Sequence, residues 1–125
     1  MKPGLEAEKI TMKLLKENGT DARWSTPEED MFLKVDIWFP IDGGWVGVQL
    51  SIDKEDTLKK KGPMVIRRGI VPMWIDWEKL QTAVEENDGA GLVKEFCTRI
   101  KKILNAFPNI KRFSRSEWDL RIQMK

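Results

Sequence analysis

Residues 33–52 read LKVDIWFPIDGGWVGVQLSI, and this stretch decides the fold because it encodes a β-hairpin. Apolar residues alternate with other types on both sides of Asp42-Gly43, a pair that favours a two-residue hairpin turn with positive φ at both positions. In that register apolar residues meet on one face: Leu33 with Ile52, Val35 with Leu50, Ile37 with Val48, and Phe39 with Val46. A shift by one residue would destroy this match, so the sequence specifies the register.

The other face of the predicted hairpin carries functional groups. It pairs Asp36 with Gln49 and Lys34 with Ser51, which makes all four side chains cross-strand or near neighbours. Aspartate is depleted in strands, which favours a functional role for Asp36. The alternative is a solvated face of an antiparallel hairpin.

The remaining elements follow from apolar periodicity and turn residues. We expect helices over 5–18, 57–61, 63–69, from Asp76 through Val84 and over 89–107, and strands over 20–26, 33–39, 45–52 and 70–75. Asp76 is a natural N-cap, whereas Pro72 argues against a central position for the last strand. The chain is predicted to be a single α/β domain, with a mixed four-stranded sheet, flanking helices and the order α-β-β-β-α-β-α. Its core spans about residues 4–107, and residues 108–125 form a basic tail.

Composition excludes several kinds of chemistry. The 125 residues contain no His and no Tyr, which removes Ser-His-Asp and Cys-His catalysis and His-ligated zinc. The single Cys97 cannot form an internal disulfide, so a reduced, cytoplasmic setting is expected. No apolar run approaches a membrane span, and the N-terminus lacks the apolar region of a signal peptide. Carboxylates, lysines, hydroxyls and a hard metal ion remain as catalytic tools.

The first predicted helix carries one carboxylate on its apolar side. Glu8 lies between Leu5, Met12 and Leu15, whereas Glu6 falls among the charged residues. An inward-facing carboxylate needs a partner, because burying it unpaired is costly. We expect a metal ion or Lys34 to supply that partner, and we expect Glu8 rather than Glu6 to point toward Asp36.

This pattern over residues 4–76 resembles the PD-(D/E)XK nuclease superfamily, which has the restriction-endonuclease-like fold. That family places a Glu on the first helix, an Asp at the end of strand 2 and Glu/Gln-x-Lys on strand 3. Glu8 matches the helical Glu, Asp36 matches the strand Asp, and Gln49-Leu50-Ser51 occupies the strand 3 motif. Two positions depart from the pattern: Gln49 replaces a carboxylate, and Ser51 stands where the family has Lys.

The resemblance implies metal-dependent hydrolysis of DNA phosphodiester bonds. Its ligands for Mg²⁺ or Mn²⁺ are Glu8, Asp36, the Gln49 side-chain oxygen and the Leu50 carbonyl, and the neutral Gln49 predicts weak binding. Lys34, directly across from Ser51, is the candidate for the displaced catalytic lysine, with Lys54 as the second choice. The alternative is a catalytically degenerate protein of the same fold that binds nucleic acid or another protein.

A local basic cluster is the candidate phosphate-contacting surface. It comprises Lys59, Lys60, Lys61, Arg67 and Arg68, although a solvated helix face is the more usual meaning of such a run. The net charge of +2 does not by itself demand nucleic acid. Tryptophans such as Trp38, Trp45 and Trp77 are expected mainly in the core, with base stacking and a homodimer contact as alternatives.

Overall fold

The computed structural model describes residues 3–28, 31, 34–41 and 44–114. Helices lie against both faces of one sheet, so the predicted α/β class is confirmed. In chain order the elements are α1 (Pro3–Glu17), β1 (Arg23–Trp24), β2 (Ile37–Ile41), β3 (Gly44–Ser51), a π-helical turn (Asp56–Lys60), α2 (Lys61–Arg67), β4 (Val71–Trp74), α3 (Trp77–Glu85), α4 (Gly89–Ala106) and β5 (Arg112–Ser114).

The sheet is mixed and has β3 at its centre. Its order is β1-β2-β3-β4, with β2 antiparallel and β4 parallel to β3. Within the described residues β4 pairs only with β3, which explains how it tolerates Pro72, since an edge strand leaves one side of its backbone unpaired. Strand β5 pairs with residues 44–46 of β3 and was not predicted, so the sheet has five strands instead of four.

The hairpin register is the predicted one over the part that forms a strand. Ile37 pairs with Val48, Phe39 with Val46 and Ile41 with Gly44. The Asp42-Gly43 turn and Leu33 lie outside the described residues. The turn chemistry and the alternation therefore predicted correctly which residues of β3, and of β2 from Ile37 onward, lie on the same face of the sheet.

The predicted strand over 33–39 is wrong in its first part, because β2 begins only at Ile37. Lys34 has a left-handed backbone with φ of 62°, which no regular strand can contain. Val35 consequently lies on the face opposite Ile37, and its side chain is the nearest neighbour that a Cβ on Gly47 would meet. The predicted pairs Val35–Leu50 and Lys34–Ser51 are not formed. Ser51 pairs instead with Trp74 on the other side of β3.

Two apolar clusters lie on opposite faces of the sheet. The larger one joins alternate residues of β2, β3 and β4, such as Ile37, Val48 and Met73, to α1, α3 and α4. The smaller one contains Val35, Trp38, Trp45, Val65 and Ile70 and brings α2 against the other face. Trp38 and Trp45 are thus core residues, which confirms the expectation that they lie mainly in the core.

The segment after β3 is one continuous helical stretch and not the two short pieces predicted. A π-helical turn runs directly into α2, and Pro63 lies two residues after the start of α2, just past the change from the π to the α pattern. A Cβ on Gly62 would overlap the carbonyl oxygen of Thr57. Glycine at this position therefore permits the wide turn and its close backbone approach.

The predicted basic tail contributes β5, and residues 115–125 lie outside the described part of the chain. Within that described part, none of the helices has both the length and the apolar character that crossing a membrane requires.

Candidate functional site

Asp36 occupies the point where β2 separates from β3. Its backbone N–H donates to the carbonyl of Val48 at 2.9 Å, and its side-chain Oδ2 accepts from the backbone N–H of Leu50 at 2.6 Å. Its own carbonyl accepts from both the backbone N–H and the Oγ of Ser25, each at 3.1 Å. The local backbone resembles a β-bulge, in which one strand bends away from its partner.

The Asp36 carboxylate takes the place of a lost backbone acceptor. In the continued register Leu50 would face Val35, whose carbonyl would receive the Leu50 N–H. Because the chain bends at Asp36, the side-chain oxygen receives that N–H instead. The carboxylate therefore lies at the edge of β3, beside the Leu50 peptide, and not on either face of the hairpin.

Gln49 lies between the two residues of β3 to which Asp36 is hydrogen-bonded. The two bonds that Asp36 makes to β3 go to Val48 and Leu50, the residues on either side of Gln49. Gln49 is half-buried, and alternation along β3 places its side chain on the face of Trp45 and Gly47, which α2 also covers. The paired register of β2 with β3 ends at Ile37 and Val48, so the predicted same-face pairing of Asp36 with Gln49 stays a prediction.

Glu8 and Glu6 differ in burial as the helical pattern predicts. Glu8 is half-buried on α1, whereas Glu6 is exposed. Helix α1 packs through Ala7, Met12 and Leu15 on the larger apolar cluster, so Glu8 lies at the margin of that contact. The direction of Glu8 toward Asp36 stays a prediction.

The two candidate lysines both lie outside regular strand structure. Lys34 is exposed at the left-handed bend two residues before Asp36. Lys54 is exposed just after β3, with its Nζ 4.8 Å from the ring centroid of Trp74. Trp74 is in turn fixed by its Nε1, which donates to the carbonyl of Ile52 at 3.2 Å. Neither lysine occupies the strand 3 position at Ser51.

The basic cluster lies on the π-helical turn and α2. Its members Lys59, Lys60, Lys61, Arg67 and Arg68 are all exposed. Local contacts occupy two of them: Lys61 Nζ lies 3.5 Å from Asp56 Oδ2, and Arg67 Nε donates to the Pro63 carbonyl at 3.4 Å. Because α2 packs on the smaller apolar cluster, the basic cluster and Gln49 lie on the same side of the sheet.

The donor types at Asp36 and its neighbours fit a hard cation. The Asp36 carboxylate, the Gln49 amide oxygen and the Leu50 carbonyl are oxygen ligands of the kind that Mg²⁺ and Mn²⁺ prefer. The Leu50 carbonyl faces the same edge as its N–H, toward the Asp36 carboxylate. Their negative charge is small, because no three acidic, histidine or cysteine side chains come together among the residues that the structure describes.

Sequence reasoning missed the buried side chain of Thr11. Thr11 is 5% exposed, and its hydroxyl has no hydrogen-bond partner within the described ranges. Its position on α1, four residues after Ala7 and four before Leu15, places it on the apolar side and was the available signal.

Comparison of the chain with protein-family models, with curated proteins and with solved structures finds no match.

Proposed function

We propose that the chain is a divergent nuclease of restriction-endonuclease-like fold that hydrolyses DNA phosphodiester bonds with a weakly bound divalent metal ion. The observation that carries this proposal is the bond from the Leu50 N–H to Asp36 Oδ2 at 2.6 Å. It holds a carboxylate at the separation of the two central antiparallel strands, beside Gln49. The resemblance matches Asp36 to the strand Asp of PD-(D/E)XK nucleases, although Asp36 lies immediately before the first residue of β2 and not at the end of that strand.

In this proposal Asp36 and the Leu50 carbonyl hold Mg²⁺ or Mn²⁺ at the edge of β3, and Glu8 and the Gln49 amide oxygen complete the ligand set from the two opposite faces of the sheet. Such an ion, when bound, polarises the phosphate and lowers the pKa of the attacking water. The chain itself contributes by positioning this carboxylate, because the Leu50 N–H donates to Asp36 Oδ2 and so fixes the orientation of the side chain. Asp36 is thus oriented before any ion arrives.

Cationic side chains supply the contacts to DNA. Lys34, at the bend before Asp36, is the group we place near the reacting phosphate, where positive charge stabilises the transition state. The basic cluster on α2 contacts the flanking phosphates, which makes the affinity for DNA decrease with salt concentration. Exposure of all six side chains is compatible with these roles.

The metal site is tested by titration calorimetry with Mn²⁺. We expect the wild type to bind, and we expect Asp36→Asn to abolish binding while the amide oxygen still accepts the Leu50 N–H. Asp88→Asn, which changes an exposed helix-capping carboxylate, is the matched control and retains binding. Equal binding by all three proteins would refute an ion at Asp36.

Cleavage is tested on single-stranded, duplex and branched DNA. Lys34→Ala is expected to keep Mn²⁺ binding and to lose cleavage, because its target is the phosphate and not the ion. If Lys34→Ala cuts like the wild type, Lys34 has no catalytic role, even though the nuclease assignment survives.

A catalytically degenerate module that binds nucleic acid or protein is the second candidate. Two observations favour it: Gln49 is neutral, and Lys34 lies outside the strand that would have positioned it. It predicts that the wild type binds no divalent ion and cuts none of the three substrates. In its nucleic-acid-binding form it also predicts DNA binding that Lys60→Glu weakens and that salt suppresses.

A further inference from the structure

A cavity of about 140 Å³ lies on the face of the sheet opposite the basic cluster. Helices α1, α3 and α4 enclose it together with the end of β4, and its lining includes none of the nuclease candidates. Leu15, Leu80 and Phe96 form apolar walls, and all three are buried. The carboxyl ends of parallel strands in α/β sheets are frequent places for ligand sites, which makes this location informative.

The buried part of the cavity carries one unsatisfied polar group. Thr11 lines the cavity, and its hydroxyl lacks a partner among the described residues. Leaving a buried hydroxyl unpaired is unfavourable, so natural structures usually provide a protein group, a water molecule or a ligand. A ligand with a polar atom at this depth would satisfy it.

The rim of the cavity carries a cation without a salt bridge. Lys79 and Glu95 pair with each other at 3.7 Å, and Asp76 accepts the backbone N–H groups of Glu78 and Lys79 as the N-cap of α3. Arg99 forms no salt bridge with the carboxylates that the structure describes, and its guanidinium carbon lies 6.0 Å from the ring centroid of Trp74.

Burial lowers the pKa of Arg99, while the charges of Glu95 and Asp76 act in the opposite direction. Arg99 is therefore a partly desolvated cation whose fork of N–H donors remains available to a carboxylate.

We infer that this cavity binds a small aromatic carboxylate, with the carboxylate on Arg99 at the rim and a polar ring substituent on Thr11 at the base. Size supports a single ring, because an apolar cavity of ~150 Å³ accommodates benzene. Charge supports an anion, since Arg99 is the lining cation that the described carboxylates leave without a salt bridge. The inference is independent of nuclease activity, because the two sets of residues do not overlap.

Backbone amide shifts of the full chain, followed by NMR during titration, test the inference. The probes are benzoate, 4-hydroxybenzoate, 3-hydroxybenzoate and the neutral benzyl alcohol. We expect benzoate to shift the amides around Thr11, Leu80 and Phe96 and to bind about tenfold more tightly than benzyl alcohol. One of the two hydroxybenzoates should exceed benzoate in affinity, and Thr11→Val should remove that gain.

Variants then separate charge from shape. Arg99→Gln should weaken benzoate about tenfold and leave benzyl alcohol unchanged, whereas Lys102→Gln on the exposed part of the same helix should change neither. Leu92→Trp, at the half-buried edge, should block every probe.

Three results would overturn the inference. The first is the absence of shifts near the cavity with all probes. The second is equal affinity for benzoate and benzyl alcohol, and the third is shifts confined to residues 59–68. The ligand series remains decisive even if a variant fails to fold.

Discussion

Replacing Asp36 tests the structural role of its carboxylate apart from any catalysis. Asp36→Ala removes the acceptor of the Leu50 N–H, a bond of 2.6 Å at the separation of β2 from β3. A hydrogen bond to a charged group contributes about 1.5–3 kcal/mol, so we expect the free energy of unfolding to decrease by about 2 kcal/mol. Asp36→Asn retains an oxygen acceptor without the charge and should cost roughly 1 kcal/mol.

Urea unfolding followed by tryptophan fluorescence measures both changes, since Trp38 and Trp45 are buried. Asp21→Ala is the control: its carboxylate lies 3.3 Å from Arg23 but is exposed, and such pairs contribute about 0.5 kcal/mol. If Asp36→Ala is as stable as the wild type, or if Asp21→Ala loses as much, the carboxylate does not hold the bend, and our reading of the separation point is wrong.

Three further predictions depend on local contacts in the fold. Thr11→Val should raise the free energy of unfolding by about 1 kcal/mol in urea, because it removes a buried hydroxyl without a described partner; a loss of stability would show that the hydroxyl is bonded. Gly62→Ala should lower it by roughly 2 kcal/mol or more, because the new Cβ meets the Thr57 carbonyl, whereas Lys61→Ala beside it should cost under ~1 kcal/mol. Burial raises the pKa of the Cys97 thiol, so near pH ~8 its alkylation should be slower than that of N-acetylcysteine. Urea should abolish the difference in rate, and equal rates in the folded chain would contradict the burial of Cys97.

Local sequence signals predicted most of the elements. The alternation around Asp42-Gly43 predicted the pairing of β2 with β3, because turn type and apolar parity both act between residues close in the chain. Asp76 was correctly recognised as the N-cap of α3, since capping depends on the next two or three residues. These features require no knowledge of the rest of the molecule.

The errors concern places where distant parts of the chain decide the backbone. Lys34 adopts a left-handed conformation that lysine does not favour. The alternation of polar and apolar residues runs on through Lys34 and Val35, so nothing in the local sequence indicated that the strand would begin only after a bend. Strand β5 forms because residues 112–114 meet residues 44–46, which are far away in sequence. The cavity beside Thr11 likewise depends on the packing of three helices.

The candidate site depends both on local sequence signals and on contacts between distant parts of the chain. Asp36 was noticeable because aspartate is uncommon in strands, and the hairpin pattern predicted that it lies beside this part of β3, where it is bonded to Val48 and Leu50. The hairpin pattern did not predict that the carboxylate accepts a backbone N–H in place of a backbone carbonyl, because this hydrogen bond depends on the bend at Asp36. An aspartate that is needed to hold this bend would be kept in a nuclease and in a degenerate module alike, so its presence alone does not separate the two functions.

Gln49→Glu separates them, because it restores the charge that the strand 3 motif lacks. The new carboxylate belongs to the residue between Val48 and Leu50, both of which are bonded to Asp36, so we expect repulsion between the two like charges to cost under ~1 kcal/mol. If the site holds a divalent ion, Mn²⁺ should bind more tightly than to the wild type and should recover that stability, because an added anionic oxygen ligand favours a hard cation. Gln81→Glu, on the exposed part of α3, controls for the added charge and should respond to Mn²⁺ like the wild type. A Gln49→Glu protein that loses stability and gains nothing from Mn²⁺ would show that the two side chains do not share an ion, and the non-catalytic function would then be favoured.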